Sequence, residues 1–366
     1  MFNFFGRKPF GLDISDYSIE MISLSGSPES PRLLSMGRVT LAAGIVEDGV
    51  VLNKEKLKER LLILVEKPEF GKLKTRQIIF SLPESKSFIH ILPTPQVVLG
   101  RKERQEVESQ IERIFPYPLS DLYFDYKIRQ GAAFAEILAV AAPKKVVDDY
   151  LEVFRSCRLL PIALEIESES LTRSLVNEAD KPFLIADIGA RTTNFSVFDE
   201  NGLRLSISLP VAGNRLTHIL AEKLKVSWLQ AENLKREVGL NPDLEKGKIF
   251  LILQKEIQKI ISEIKKIDDY FQEKTKKEIK KIVLAGGSAN LPRLADYLSE
   301  NLEKPAIVID PWININIDIL RGKEYLKKAL LVDPVLYSSA IGSALRGLFD
   351  QPEAAGLNLL PKSREK

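Results

Sequence analysis

Apolar positions recur along the chain in two rhythms, every second residue and every third or fourth, and the switches between them mark out the elements. Residues 10–24, FGLDISDYSIEMISL, predict a strand, a turn at Ser15 and Asp16, and a second strand carrying Ile19, Met21, Ile22 and Leu24. Residues 183–209 repeat that design, with an apolar strand ending in Asp187, a Gly189 turn rich in hydroxyls and another strand. A DENG turn and a strand alternating at Leu203, Leu205, Ile207 and Leu209 complete it. A third stretch, KKIVLAGGSANLPRLADYLSENL (280–302), predicts a strand, a double glycine and a helix starting near Asn290 and Pro292. PKKVVDDYLEVFRS has helical spacing at Val146, Val147, Tyr150, Leu151 and Phe154. Residues 251–277 place apolar side chains at 253, 257, 260, 264, 267 and 271, steps of four and three that suit a long helix docked on its own chain or a coiled-coil seam. In ALEIESESL, an extended reading puts Glu165, Glu167 and Glu169 on one face, close enough to need a metal, a partner or solvent.

Composition narrows the classes. A chain of 366 residues exceeds one small core and predicts two or more domains, or one with large insertions. At 45% hydrophobic and 28% charged it reads as an ordinary globular protein. Against 50 Asp+Glu, the 53 Lys+Arg leave a net charge of +3, which is no footprint of a nucleic-acid binder. Cys157 is the one cysteine, so an internal disulfide is impossible and a reducing compartment is expected. The start MFNFFGRKPFG lacks the apolar run of about seven or more residues that a signal segment needs. No stretch reaches roughly 18 apolar residues either, so any membrane role is expected to come through a partner. His90 and His218 are the two histidines, which nearly excludes a zinc site built on His and Cys and leaves little for a Ser-His-Asp triad.

The chemistry is therefore expected in the three loops that carry Gly and Asp. A strand ending in Asp, followed by a tight turn of small or hydroxylic residues, offers backbone N–H groups and hydroxyls to phosphate oxygens. The carboxylate suits the water shell of Mg²⁺. Two such hairpins facing each other would clamp a triphosphate, and Gly286 and Gly287 would let the backbone approach a base or ribose. Singly, each loop is also an ordinary turn. In order, strand-turn-strand with Asp, the same again, then strand-GG-helix is the arrangement of the actin-like ATPase fold.

Over nearly its whole length the sequence resembles the PilM family of type IV pilus assembly proteins, members of the actin-like superfamily related to the cell-division protein FtsA. GLDISDYSIEMISL resembles the first phosphate loop, DIGARTTNFSVF the second and VLAGGSANLPRLADYL the adenosine motif. PVAGNRLTHILAEKLKVSWLQAENLKRE (210–237) is similar to the family segment in which a Gly-Asn turn precedes a helix and an A-E-x-x-K pair follows. The resemblance implies an α/β actin-like ATPase fold, duplicated RNase H-like domains with an inserted 1C (SHS2-like) subdomain. Subdomain 1A would take 1–75, 166–181 and 336–350, and 1C would take 76–165. Subdomain 2A would take 182–214 and 281–335, 2B 215–280, and a tail 351–366.

The resemblance also implies ATP and Mg²⁺ as ligands. Asp13, Ser15, Asp16, Tyr17 and Ser18 would come from the first loop, and Asp187, Gly189, Ala190, Arg191, Thr192 and Thr193 from the second. Gly213 and Asn214 would lie near the phosphates, Glu232 and Lys235 would reach ribose and base, and Gly286, Gly287 and Ser288 would hold the adenosine. Asp13 and Asp187 would hold Mg²⁺ through water, and Glu167 would orient an attacking water. Glu232 and Lys235 are equally an i, i+3 pair on a helix surface. One departure stands out: Ser15 replaces the family's usual glycine, restricting φ and bringing a Cβ toward the ligand, while Asp16 adds charge near the phosphates. Slow or absent hydrolysis, with nucleotide binding kept, is the expectation.

The sequence ends on GLNLLPKSREK (356–366), where Pro361 and the charged residues after it forbid a long helix. Members of the PilM family bind the cytoplasmic N-terminal segment of the inner-membrane protein PilN, whose motif is of the Asn-Leu-Leu-Pro type. Asn358, Leu359, Leu360 and Pro361 resemble it. The tail is expected to imitate that peptide, in its own groove between 1A and 1C or in a neighbour's through self-association, or simply to pack on its own surface. The implied role is a cytoplasmic ATP-binding adaptor on the inner-membrane platform of a type IV pilus or a related secretion or competence machine. An FtsA-like membrane-bound filament is the alternative, but it needs a C-terminal amphipathic helix for which the tail is too short. A sugar or metabolite kinase of the superfamily would need a substrate domain that does not stand out.

Overall fold

The computed structural model describes residues 7–94, 101–130, 135–176, 181–318 and 333–361. The sequence RQGAA (129–133) predicts a turn between strands, and its residues 131–133, like the tail beyond Pro361, lie outside the described residues. Two compact units divide the chain, residues 1–174 with 311–366, and residues 175–310.

In the first unit, β1 (Phe10–Ile14), β2 (Ser18–Ser27) and β3 (Ser30–Thr40) form an antiparallel meander. A short hairpin of β4 (Val46–Glu47) and β5 (Val50–Val51) leads into α1 (Lys54–Glu66), capped where the Asn53 side chain accepts from the Lys56 N–H. β6 (Phe70–Gly71) pairs with β3, and β7 (Gln77–Leu82) runs parallel to β1. The chain then leaves the sheet. β8 (Phe88–Thr94), α2 (Arg101–Ile114), β9 (Leu122–Gln130) and β10 (Ala135–Pro143) add a three-stranded sheet in the order β8, β10, β9. It has a core of its own around Val107, Ile111, Phe115, Leu122 and Ile137. α3 (Lys144–Ser156) returns to the main sheet, setting Tyr150 and Phe154 on Phe80 of β7 with ring centroids 4.8 and 5.1 Å away. β11 (Leu160–Ile166) pairs in parallel with β7, and α4 (Glu167–Leu175) follows directly. The main sheet reads β11, β7, β1, β2, β3, β6, so β11 is an edge strand.

The second unit repeats the plan. β12 (Phe183–Ile188), β13 (Thr193–Asp199) and β14 (Gly202–Leu209) form a meander, its DENG turn closed by Asp199 Oδ1 accepting from the Asn201 N–H at 2.8 Å. Three helices follow, α5 (Gly213–Leu224), α6 (Trp228–Val238) and α7 (Lys248–Thr275). β15 (Lys281–Ala285) then runs parallel to β12, and α8 (Leu294–Leu302) carries the chain to β16 (Ala306–Val308), parallel to β15. Strand order β14, β13, β12, β15, β16 matches the order β3, β2, β1, β7, β11 of the first unit. The apolar stripe at Leu253, Ile257, Ile260, Ile264, Ile267 and Phe271 is buried along α7, which packs on α5, α6 and α8; the stripe serves its own unit.

Residues 311–318 belong to the first unit, where Asn316 donates its N–H to the Pro31 carbonyl and accepts from the Leu33 N–H. The last helix, α9 (Ser338–Arg346), lies on β1, and Gly11 makes the contact possible because a Cβ there would sit 2.0 Å from the Ala340 carbonyl oxygen. The sheet is covered on both faces, as consecutive residues of β3 show. Met36 points into the α9 cluster, while Gly37 points at Leu64 of α1. Such double coverage explains the burial of Phe10, Gly11 and Leu12 in succession along β1.

Two expectations are corrected. β11 stops at Ile166, so Glu165, Glu167 and Glu169 do not share a strand face. Glu167 and Glu169 open α4, where the helix dipole favours carboxylates, and Glu165 is buried against Arg346 and Arg173. The helix expected near Asn290 begins at Leu294, because residues 286–291 are spent in successive turns and Arg293 takes a left-handed φ of 63°.

Candidate functional site

In the second unit, the loops singled out from the sequence converge. The turn after β12 closes with the Gly189 N–H on the Thr192 carbonyl at 3.0 Å. Its carbonyls then receive the start of α5, Gly213 N–H to Gly189 O at 3.1 Å and Asn214 N–H to Ala190 O at 2.8 Å. From the other side, Ser288 donates its N–H to Ile188 O at 3.0 Å and its hydroxyl to Gly189 O at 3.3 Å. These contacts demand glycine at two points. A Cβ on Gly213 would lie 2.6 Å from Ser288 Oγ, and one on Gly286, whose φ is 80°, would lie 2.3 Å from Asp187 Oδ1. Thr193 is buried, its hydroxyl donating to the Val211 carbonyl at 2.6 Å, while Arg191 and Gly287 are exposed.

Glu232 and Lys235 on α6 close the group. Lys235 is 7% exposed and its ammonium donates to Gly213 O at 3.2 Å, Thr217 Oγ1 at 2.9 Å and Glu232 Oε2 at 2.7 Å. Burial lowers the Lys235 pKa, with Glu232 opposing that fall. Burial would raise the Glu232 carboxyl, yet donors from Lys235, Thr217 and Arg236 outweigh it and bring the pKa down to about 2. Glu232 is thus ionised at neutral pH, and the pair is anchored to the start of α5 through Lys235, not a solvated helix pair. The start of α5, the Lys235 ammonium and the Ser288 hydroxyl form one hydrogen-bonded group whose donors are held by protein acceptors, and a nucleotide phosphate or sugar would engage them by displacing those acceptors.

In the first unit, Asp13 stands near the end of β1 and the Ser15–Ser18 turn follows. Ser15 takes no positive φ, so its Cβ causes no backbone strain there. Its hydroxyl instead accepts from the N–H groups of Tyr17 at 3.4 Å and Ser18 at 3.2 Å. The φ part of the objection to Ser15 falls, and a further one joins the rest: a side chain already holds the N–H groups that the turn would offer to phosphate. Asp16 Oδ1 accepts from the Gly49 N–H at 3.3 Å, and Tyr17 is exposed. Glu167 Oε2 accepts from the Glu84 N–H at 3.1 Å, while the buried Glu84 carboxylate accepts from the Ser168 hydroxyl at 2.9 Å and N–H at 3.3 Å. The Tyr150 phenol donates to Gly49 O at 3.0 Å. Burial pushes its pKa up, and the charges of Glu167, Asp16 and Asp13 push the same way. Among the described residues no group of three His, Cys, Asp or Glu side chains forms a metal cage, so an ion near Asp13 or Asp187 would rely on phosphate and water ligands.

The tail docks on the first unit. Leu359 donates its N–H to Leu164 O at 2.8 Å, and Leu164 returns its N–H to the Asn358 side-chain oxygen at 3.0 Å, extending the β11 edge. Asn358 donates its N–H to Asp125 Oδ2 of β9 at 2.9 Å, so the segment lies in the seam between the main sheet and the three-stranded sheet. Leu357 and Leu359 are buried, Leu360 is half-buried and Pro361 exposed. Beneath it, Arg346 and Glu165, each 1% exposed at the side chain, pair at 2.8 Å.

The family model of the type IV pilus assembly protein PilM matches residues 11–348. The chain belongs to the PilM family. Among solved structures, a chain of the PilM-PilN type IV pilus biogenesis complex is 21% identical with a TM-score of 0.79, over 93% of this chain and 99% of that one. The ethanolamine utilization protein EutJ from Carboxydothermus hydrogenoformans is 16% identical with a TM-score of 0.56, over 92% and 89%. MreB5 of Spiroplasma citri bound to ADP is 13% identical with a TM-score of 0.50, over 89% and 99%. The architecture is the actin-like ATPase fold. No helix among the described residues is long and apolar enough to cross a membrane.

Sequence reasoning missed several residues of this PilM-family site. Thr217 sits one turn after Gly213 and bonds both members of the Glu232–Lys235 pair. A hydroxyl at i+4 from the Gly-Asn turn was its only signal. Glu84, Asp125 and Arg346 had none, since each acts on residues distant in sequence.

Proposed function

We propose that this chain is a cytoplasmic ATP-binding adaptor of a type IV pilus or related inner-membrane platform, and that the seam between β11 and β9 holds the N-terminal segment of a PilN-like membrane protein. The observation that carries the reading is the docking of Asn358, Leu359 and Leu360 in that seam. A segment of the partner's type satisfies both the open edge of β11 and a carboxylate of the neighbouring sheet, the logic of strand addition. The tail is then a mimic of the partner. Attachment to the membrane is through that partner.

The nucleotide half of the proposal rests on the second unit. In the second unit ATP would be held by the turn at Gly189–Thr192, the start of α5, Ser288 and Lys235, with Glu232 on the sugar side, and Asp187 would accept from the water shell of its Mg²⁺. Glu167, tied to the loop after β7 through Glu84, would orient a water. With the Tyr17 and Ser18 N–H groups held by Ser15, binding outlasts catalysis, and steady-state turnover is expected below the enzyme median of about 10 s⁻¹.

The test is calorimetric titration of Mg-ATP, then of the peptide GLNLLPKS, into full-length protein carrying Asn358→Ala and Leu359→Ala, which frees the seam. Saturable binding of both supports the adaptor. Failure of the peptide to bind with and without nucleotide would leave the seam a packing contact.

A further inference from the structure

We infer that residues 358–361 are a displaceable occupant of the seam, an intramolecular competitor for the partner segment, whereas the turn before them is fixed. The inference rests on the peptide-site reading above. The fixed part is held by Arg346, wholly buried at the end of α9. Its Nε donates to Pro352 O at 2.8 Å, Nη1 to Leu357 O at 2.8 Å, and Nη2 to Glu353 O and Gly356 O, both at 3.3 Å. Glu165 balances the charge. A guanidinium committed to four carbonyls of one turn ties that largely exposed turn to the buried end of α9.

Past Leu357 the grip changes character. Asn358 and Leu359 make the contacts with β11 and β9, the Asn358 amide adding long bonds of 3.4 Å to Ile162 O of β11 and to Glu353 O of the turn, Leu360 donates to the neighbouring Asn358 side chain at 3.1 Å, and Pro361 is exposed. The division between fixed and exchangeable chain therefore falls between Leu357 and Asn358. The same contacts state what an incoming segment must bring. It needs an acceptor for the Leu164 N–H, a donor for the Leu164 carbonyl, a donor for Asp125, and an apolar side chain where Leu359 is buried. An extended Leu-Asn-Leu supplies all four, with asparagine presenting its side-chain oxygen where a strand would present a carbonyl. A tethered occupant competes at an effective concentration on the order of millimolar. Only a partner segment itself concentrated, as at an assembled membrane platform, would displace it.

Fluorescent GLNLLPKS peptide titrated into full-length wild type, the Asn358→Ala/Leu359→Ala variant and the milder Asn358→Ala, with amide exchange followed in wild type, tests this. The double variant should bind the peptide at least about ten-fold more tightly than wild type. Peptide added to wild type should speed exchange at Leu359 and leave Ala354, in the fixed turn, unchanged. Equal affinities for wild type and variants would overturn the competitor while leaving the adaptor standing. Faster exchange at Ala354 would overturn the fixed-turn division. Binding to none of the three, each melting cooperatively, would overturn this inference and the peptide site together.

Discussion

Enclosed by the Gly213 carbonyl, the Thr217 hydroxyl and the Glu232 carboxylate, the Lys235 ammonium has exchanged water for three protein acceptors. A charge-assisted contact is worth about 1.5–3 kcal/mol, so Lys235→Met should weaken Mg-ATP binding by about ten- to hundred-fold in a direct titration. Unchanged affinity would remove Lys235 from the site. Titration of the fold offers a second residue-scale prediction. Glu20 is 2% exposed, and burial raises its pKa to about 7 despite donors from Ser18 and Arg38. A raised folded pKa means that its contribution to stability is complete below about pH 4.5 and is lost as pH rises through 7. Glu232 has the opposite sign, since its pKa of about 2 gives a contribution present above about pH 4.5 and lost toward pH 2. Urea unfolding at pH 5 and pH 8 should show a smaller fall for Glu20→Gln than for wild type, and parallel falls would refute the assignment.

Among the elements, α9 is set by two close approaches, to β1 at Gly11 and to α4 at Gly342. A Cβ on Gly342 would come 1.8 Å from the Ser170 carbonyl oxygen, a backbone atom that cannot step aside without moving α4. Gly342→Ala is expected to cost about 1–3 kcal/mol or more, seen as a lowered melting temperature. Because α4 begins with Glu167, the same variant should also depress nucleotide binding if that residue serves the site. The strands and α7 were legible because period 2 and period 3.6 are local properties, and Leu253 to Phe271 kept their rhythm over a long helix. The fate of Glu165 was not, because its partner Arg346 lies 181 residues away. Nor was the start of α8, where the Pro292 carbonyl accepts the Leu240 N–H, a tertiary bond outweighing the N-terminal preference of proline.

For the whole molecule, the repeated Asp-turn design in the sequence translated into two sheets with one strand order, so the duplication was readable from residues 10–24 and 183–209 alone. The meeting of the loops at 189–192, 213–214 and 286–288 in the second unit follows the same logic, since each loop carries its own Gly or Asp. The resemblance named a groove between 1A and 1C for the tail but not the residues that meet it there, because Leu164 and Asp125 stand 194 and 233 residues from Asn358. The docked geometry also favours one of the modes that the motif left open. For the tail to enter a neighbour's seam, the turn at 352–357 would have to open, stranding the buried Arg346 guanidinium and leaving Glu165 as its only partner. Unsatisfied donors of a buried charge are costly, and a short connection held at four carbonyls gives a swapped tail no slack. Engagement in cis should therefore dominate. Sedimentation of wild type and of Asn358→Ala/Leu359→Ala over a wide concentration range is expected to give the same mass, whereas a wild-type mass that grows with concentration and collapses in the variant would place the tail in the neighbour's seam.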